Sequence, residues 1–232
     1  MKSSNRRWQN HLRAKGMIPF LLDRLQAHSL SSKWQHDKGA FDFPIDNRED
    51  DDELTKAFFE LTEYFPYEFY LEITNACNLE CVMCARNNMK RPRGFMSNEL
   101  FKKTIDEIVK KQPYAYIHYY GIGESLLDKN LFQKLEYAYI NNVRNSILFT
   151  NGQLLTQDDT YKKLADSGVA IIGVDIDGFS QETYEQIRIG GDFKALKEGI
   201  ENLYNYVRKC RLNTRVELAY HIYNGVNEKE ID

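Results

Sequence analysis

The sequence predicts an α/β fold in which parallel strands alternate with helices, as a parallel sheet or barrel. From Phe69 onward, short runs rich in β-branched and aromatic residues alternate with longer stretches of helical periodicity. In addition, polar or glycine-rich clusters follow directly after four of the five predicted strands. Because parallel α/β folds build their sites at the carboxyl ends of the strands, we expect these clusters to converge.

The individual elements follow from composition and spacing. The predicted strands are Phe69–Thr74, Ala115–Tyr120, Ser146–Thr150, Val169–Asp175 and Thr214–Tyr220. The predicted helices between them are Ser97–Lys111, Asn130–Asn142, Thr156–Ser167 and Phe193–Lys209. Ser97 and Thr156 are predicted N-caps, and Gly168 is the predicted C′ residue of the third helix.

The composition excludes several classes of protein. Of the 232 residues, 42% are hydrophobic and 13% aromatic, too apolar for a disordered chain. The 31 basic and 34 acidic residues give a net charge of −3, which does not indicate a nucleic-acid partner. The sequence has no run of about 18 apolar residues that could span a membrane. The polar N-terminus lacks the apolar core of a secretion signal, so we expect a cytoplasmic protein.

The pattern divides the chain at about residue 65. Residues 1–65 are interpreted as an N-terminal extension with a strongly acidic, solvated linker at Asp42–Glu53 and a short helix at Glu53–Tyr64. Residues 66–232 are predicted to form the core domain.

Three of the four cysteines form the sharpest motif. Cys77, Cys81 and Cys84 have C-x3-C-x2-C spacing, which would let three thiolates from one loop bind a 4Fe–4S cluster and leave one iron open. The alternatives are a zinc knuckle completed by a histidine such as His118, or three incidental thiols. Cys210 stands alone and is interpreted as a small, semi-buried residue.

The cysteine loop resembles the signature of the radical S-adenosylmethionine (radical SAM) superfamily, and later segments fit the same family in order. The resemblance covers roughly residues 69–232 and implies a partial (β/α) barrel. The segments that carry it are Gly121–Glu124 (the glycine-glutamate motif), Thr150–Gly152 (the third-strand TNG), Val174–Gly178 (the fourth-strand S-x-D-G) and Ile187–Gly191 (the I-R-x-G turn of members with a SPASM extension).

The resemblance implies two cofactors, a 4Fe–4S cluster and S-adenosylmethionine (SAM). Cys77, Cys81 and Cys84 would hold the cluster, and the methionyl amine and carboxylate of SAM would chelate the fourth iron. A reduced cluster would then cleave SAM to a 5′-deoxyadenosyl radical that takes a hydrogen atom from a substrate. The implied partners are an unknown substrate (a peptide, a sugar or a small metabolite) and an electron donor such as a flavodoxin or ferredoxin.

The resemblance also implies roles for six further residues. Backbone groups of Gly121, Gly123 and Glu124 would line the methionyl amine, and the Glu124 carboxylate would reinforce the strand end. Arg188 would pair with the SAM carboxylate, although it could equally be a surface ion-pair partner. Asp175 would approach the ribose, at a position commonly occupied by serine. Met83 would lie against the adenine.

Two residues near these motifs have plainer interpretations. Asn151 is expected to form a turn with Gly152, and His118 to be a packed or lumen residue of the second strand.

The sequence departs from the family pattern at its end. The family core usually has six strand-helix units, whereas this sequence reaches Asp232 a few residues into a helix that Asn227 would cap, after the fifth strand. We therefore expect no SPASM extension and an exposed edge on the fifth strand, covered by a partner or by residues 1–65. The alternative functions are a truncated, non-catalytic iron-sulfur fragment and a zinc-binding module.

Overall fold

The computed structural model describes residues 66–230, which form one five-stranded parallel sheet with helices in the crossovers. The strands are β1 (Glu68–Tyr70), β2 (Tyr116–His118), β3 (Asn145–Thr150), β4 (Ile171–Asp175) and β5 (Arg215–Ala219). They lie side by side in chain order, and every pairing is parallel. The predicted parallel α/β fold is confirmed. The extension, the acidic linker and the helix predicted at Glu53–Tyr64 lie outside the described residues.

Among residues 66–230, five α-helices and three short 3-10 turns lie between the strands, and a fourth 3-10 turn follows β5. The helices are α1 (Asn98–Lys111), α2 (Leu131–Ile140), α3 (Thr160–Ala165), α4 (Gln181–Ile187) and α5 (Phe193–Cys210). The 3-10 turns are Ala85–Asn88, Ser125–Leu127, Gln157–Asp159 and Glu228–Glu230.

Helix α1 shows how the sequence pattern produces the fold. Ser97 accepts a hydrogen bond at its Oγ from the backbone N–H of Leu100 at 3.1 Å, which confirms the predicted N-cap. Phe101, Ile105 and Ile108 recur at helical spacing and are all buried against the sheet. The apolar stripe therefore docks the crossover onto the core, together with equivalent stripes on α2 and α5.

The third predicted helix is shorter than expected. Thr156 makes no capping hydrogen bond, and α3 starts only at Thr160, because Asp158 and Asp159 have left-handed backbone angles (φ 48° and 57°) that interrupt the helix. Gly168 has a φ of +80°, the backbone conformation expected of a residue that ends a helix.

Three other details differ from the predictions. Helix α4, capped by Ser180, was not predicted at all. Cys210 is exposed at the end of α5 rather than semi-buried. The side chain of Asn227 does not cap the turn that follows it. Its Oδ1 instead accepts a hydrogen bond at 2.6 Å from the N–H of Tyr223, which precedes it in the sequence.

Within residues 66–230, β1 pairs only with β2 and β5 only with β4, so the described sheet is open at both ends. No helix in the described part of the chain is both long and apolar enough to cross a membrane.

Candidate functional site

One cavity at the carboxyl edge of the sheet collects all the residues that the sequence analysis singles out for cofactor binding. Its volume is about 500 Å³, within the range of about 300–1,000 Å³ that is typical of cofactor and ligand pockets. The predicted residues that line it are Cys77, Cys81, Met83, Cys84, Gly121, Gly123, Glu124, Asp175 and Arg188. The other lining residues are Tyr120, Ile122, Phe149, Thr150, Asn151, Ala219, His221 and Tyr223.

The cysteine loop forms one wall of this cavity and is held by backbone hydrogen bonds to the last residue of α4 and to the segment that follows it. The N–H of Glu80 donates to the carbonyl of Ile189 at 2.9 Å, and that of Val82 donates to Ile187 at 3.0 Å. Arg86 is buried behind the loop and donates to the carbonyl of Leu79. Hydrogen bonds from two backbone N–H groups and from one buried arginine therefore hold the loop in place.

The thiols of the loop lie in a partly desolvated setting. Burial raises the pKa of both Cys77 and Cys81. The guanidinium of Arg188 opposes this rise at Cys81, and a hydrogen bond from the N–H of Leu79 opposes it at Cys77. Since metal ligation requires thiolates, loading of this site must release protons.

The arrangement fits a cluster better than a single metal ion. Three thiolates on one tetrahedral zinc lie about 3.8 Å apart, given Zn–S bonds of about 2.3 Å. Among residues 66–230, no three His, Cys, Asp or Glu side chains are grouped closely enough to hold one ion. In a 4Fe–4S cluster each thiolate binds a different iron, so the three sulfurs need not converge. The absence of such a grouping among residues 66–230 therefore disfavours a single ion held by three of these side chains and leaves a cluster possible.

His118 does not complete the cysteine site. It does not line the cavity, and its Nε2 lies 2.6 Å from a carboxylate oxygen of Glu68. Its ring stacks on Tyr70 with centroids 4.2 Å apart, so it is a packed residue of β2 as expected.

The glycine loop after β2 forms the next wall of the cavity. It packs against the backbone of the residues just before the first cysteine. A Cβ on Gly123 would stand 2.2 Å from the carbonyl oxygen of Thr74 and 2.5 Å from that of Ala76. The following N–H, that of Glu124, donates to Ala76 at 2.8 Å. Only glycine allows this contact, which leaves backbone groups lining the cavity.

Glu124 is buried and joins the ends of β2 and β3. Its Oε1 accepts from the Thr150 hydroxyl at 2.9 Å and from the N–H of Leu126 at 3.0 Å. Its Oε2 accepts from the N–H of Asn151 at 2.8 Å. Burial raises its pKa to about 7, although these three donors oppose the rise. The carboxyl group therefore works as a brace between strands.

Asn151 does more than form a turn. Its Oδ1 accepts from the N–H of Gln153 at 3.0 Å, which is the expected turn. Its Nδ2 donates to Oδ1 of Asn78 at 2.9 Å and lies 3.7 Å from the sulfur of Cys77. The end of β3 is thereby linked to the cysteine loop.

The opposite side of the cavity is a charge network at the ends of β4 and β5. Arg188 makes two contacts with Oδ2 of Asp177, from Nε at 2.8 Å and from Nη2 at 2.6 Å. Its Nη1 lies 3.4 Å from Asp175. Burial alone would lower the pKa of Arg188, but the two carboxylates raise it above its ordinary value. Burial also raises the pKa of Asp175, and Arg188 opposes that rise.

Asp177 organises this side, although the sequence analysis gave it no role. It is fully enclosed, and its Oδ1 accepts from the backbone N–H of His221 at 3.0 Å and lies 3.0 Å from Nδ1 of the same residue. Asn227 donates to the backbone carbonyls of Asp177 and His221, both at 2.8 Å. A second aspartate in the fourth-strand motif, next to the strand end, was the available signal for this role.

A family model for the radical SAM superfamily matches residues 71–232, which is 162 of the 232 residues. The chain belongs to the radical SAM superfamily. Members of this superfamily are enzymes that use a 4Fe–4S cluster and SAM, so the two predicted cofactors are confirmed at the level of the family.

Curated relatives of this radical SAM chain include a probable cyclase and a maturase. Over 135 residues it is 31% identical to the probable GTP 3',8-cyclase of Methanococcus maripaludis, covering 57% of this chain and 44% of that protein. It is 32% identical over 135 residues to the mycofactocin maturase MftC of Mycolicibacterium smegmatis, covering 58% and 33%. Each match therefore spans less than half of the relative's length.

Solved structures support the radical SAM fold. The structure of BtrN in complex with AdoMet and 2-DOIA superimposes with a TM-score of 0.54 at 21% identity, covering 68% of this chain and 57% of that one. The maturase HydG gives a TM-score of 0.51 at 17% identity, covering 75% and 40%. At these identities, the likeness concerns the fold alone.

Proposed function

We propose that this chain is a radical SAM enzyme that abstracts a hydrogen atom from a peptide, a sugar or a small metabolite. When bound, the 4Fe–4S cluster and SAM supply the one-electron chemistry, in which reductive cleavage of the sulfonium gives a 5′-deoxyadenosyl radical. The observation that carries the proposal is the convergence of nine sequence-predicted residues on one cavity of cofactor size.

Cys77, Cys81 and Cys84 are the proposed ligands of the cluster. With three protein thiolates, one iron is left for the amine and carboxylate of SAM. The backbone of Gly121, Gly123 and Glu124 is the proposed surface for the methionyl amine, because the close approach of Gly123 to Thr74 keeps side chains out of this wall. Glu124 itself braces the wall through its carboxylate.

Arg188 is already paired with two carboxylates of the protein itself. Its guanidinium already neutralises part of the charge of Asp177 and Asp175, so its attraction for a third carboxylate is weakened. We propose that Arg188 contacts SAM only with donors that these carboxylates leave free, and that it also orients Asp175 toward the ribose. Met83, on the cysteine loop, is the proposed contact of the adenine.

Anaerobic reconstitution with iron and sulfide tests this function. We expect a brown protein with about four irons that converts SAM to 5′-deoxyadenosine when dithionite is added. Cys81→Ala should abolish both properties, whereas Cys210→Ala should change neither, because Cys210 is exposed at the end of α5 and does not line the cavity.

Two outcomes of this experiment would contradict the proposed function and indicate one of the alternatives. Full iron loading without formation of 5′-deoxyadenosine would indicate a non-catalytic iron-sulfur fragment. A colourless protein that takes up zinc in place of iron would indicate a zinc-binding module.

A further inference from the structure

His221 is an exposed histidine at the charged end of the cavity that has no role in the proposed cofactor contacts. It lines the cavity beyond the end of β5, and its side chain is 60% exposed. Its ring nitrogen Nδ1 lies 3.0 Å from Oδ1 of Asp177, which is fully buried. Among residues 66–230, Asp177 is the one hydrogen-bond or ion-pair partner of the ring. The ring can therefore exchange protons with solvent through its other nitrogen, Nε2.

The backbone of His221 is fixed at both of its polar groups. Its N–H donates to Oδ1 of Asp177 at 3.0 Å, and its carbonyl accepts from the side chain of Asn227 at 2.8 Å. The same side chain donates to the backbone carbonyl of Asp177 at 2.8 Å. These contacts involve no atom of the imidazole ring, so they persist when the ring gains or loses a proton.

The contacts of Asp177 determine which ring nitrogen carries the proton. Its Oδ2 accepts from Nε and Nη2 of Arg188, and its Oδ1 accepts from the backbone N–H of His221. Because both carboxylate oxygens already act as acceptors, neither carries a proton, and Nδ1 of His221 is the donor to Oδ1. The neutral ring thus holds its proton on Nδ1, and a second proton is added at Nε2.

The net charge of this network depends on the protonation of His221. While His221 is neutral, the single cation Arg188 faces the carboxylates of Asp175 and Asp177, which leaves one negative charge in excess. Protonation of His221 removes that excess. Burial raises the pKa of Asp175, and both Arg188 and His221 oppose that rise. The charge of His221 is therefore felt beyond its direct partner, Asp177.

Other titratable groups line the same cavity. Burial raises the pKa of Tyr120 and of Tyr223 to about 12, so both phenols stay neutral over the range of about pH 5–8 in which histidines change charge. The three cysteines are the proposed cluster ligands and bind as thiolates. Burial raises the pKa of Glu124 to about 7, so it titrates in the same range but at the neutral end of the cavity. An effect of His221 must therefore be measured as a difference from a variant that lacks it.

We propose that His221 is a positioning residue that acts through Asp177 on Arg188 and favours binding of the SAM carboxylate when its imidazole is protonated. This inference rests on the proposed function, because it requires SAM in the cavity. The imidazolium neutralises part of the charge of Asp177, so this carboxylate holds Arg188 less strongly and the guanidinium attracts a further carboxylate more strongly. By linkage, binding of that carboxylate makes His221 take up protons.

Calorimetry on the cluster-loaded full chain tests this inference. The probe is S-adenosylhomocysteine, which has the amino acid group of SAM but no sulfonium charge. We expect wild type and His221→Gln to bind it equally at about pH 8.5, and wild type to bind on the order of fivefold more tightly at about pH 6. His118→Gln is the matched control, because His118 also pairs with a carboxylate, that of Glu68, but does not line the cavity. This control should follow wild type at both pH values.

Two further readouts distinguish this role from a merely structural one. Calorimetry in buffers of different ionisation enthalpy should show that wild type takes up more protons on binding than His221→Gln does. Nitrogen NMR of the unloaded chain should show the neutral ring of His221 with its proton on Nδ1. A second variant, His221→Asn, should lose the pH dependence in the same way as His221→Gln.

The outcomes separate this inference from the function on which it rests. The same pH dependence in wild type and His221→Gln would overturn the inference, as would a neutral ring with its proton on Nε2. If the wild-type protein binds neither S-adenosylhomocysteine nor SAM at any pH, the proposed function itself is refuted.

Discussion

Glu124 and Asp177 are both buried carboxylates at the carboxyl edge of the sheet, but they are satisfied in opposite ways. Glu124 joins β2 to β3 through three uncharged donors, one hydroxyl and two backbone N–H groups. Asp177 joins the end of β4 to Arg188 and His221, so its main partner is a buried cation. One end of the cavity is thus braced by neutral hydrogen bonds and the other by an ion pair.

This difference separates an uncharged end of the cavity from a charged end. A carboxylate without a counter-ion pays for its burial, and the pKa of Glu124 rises accordingly to about 7. The end with Arg188 contains positive and negative side chains in one network. A zwitterionic ligand such as the methionyl group of SAM could therefore pair both of its charges there. The neutral end shapes the backbone wall that this ligand would lie against.

The largest predicted effect comes from breaking the ion pair. Asp177→Asn leaves the buried guanidinium of Arg188 with only the more distant Asp175 carboxylate. We expect the free energy of unfolding to fall by about 3–5 kcal/mol, because an unpaired buried charge is costly. Urea denaturation of the full chain measures it. Asp159→Asn, which removes an exposed ion pair with Lys162, is the control and should cost less than about 1 kcal/mol. Similar losses in the two variants would contradict the buried network.

The neutral brace gives a smaller effect with a characteristic pH dependence. The folded-state pKa of Glu124 is raised to about 7 from 4.5, so its stabilising contribution is present below pH 4.5 and is lost as the pH rises through 7. The stability of wild type relative to Glu124→Gln should therefore fall by up to about 3 kcal/mol between pH 4.5 and 8.

Denaturation curves at a series of pH values check this prediction. The amide of the variant can accept hydrogen bonds on one side only, so an offset at all pH values is also expected. A stability difference that does not change with pH would show that Glu124 titrates normally.

The smallest predicted effect tests the backbone wall next to Glu124. Gly123→Ala places a methyl group against the carbonyls of Thr74 and Ala76, and we expect a loss of about 1–3 kcal/mol in unfolding free energy. Gly94→Ala is the matched control, because a Cβ there meets no atom within 4 Å. Thermal melts of both variants compare them. Tolerance of Gly123→Ala without loss of stability would mean that the wall is not closely packed.

The sequence was sufficient for the features that depend on local patterns. The alternation of strands and helices, the Ser97 cap and the spacing of the three cysteines all depend on residues a few positions apart. Motif order then placed the site residues on neighbouring strand ends, which the parallel sheet brings to one cavity.

The parts that could not be predicted depend on contacts that are distant in sequence. Asp177 is hydrogen-bonded to His221 and Asn227, which lie 44 and 50 residues later in the sequence. No local sequence pattern predicts these partners. The break before α3 arises from two consecutive aspartates in left-handed conformation, which composition does not reveal. Helix α4 is only seven residues long, too short for a clear periodic signal, although Ser180 and Glu182 mark its start.

We propose that one cavity holds both the cluster and SAM. Electron paramagnetic resonance of the reconstituted, dithionite-reduced protein tests it directly when spectra are recorded with and without SAM. We predict a cluster signal whose g-values shift on addition of SAM, because SAM would bind the open iron. A cluster signal that SAM leaves unchanged at saturating concentration would contradict the account.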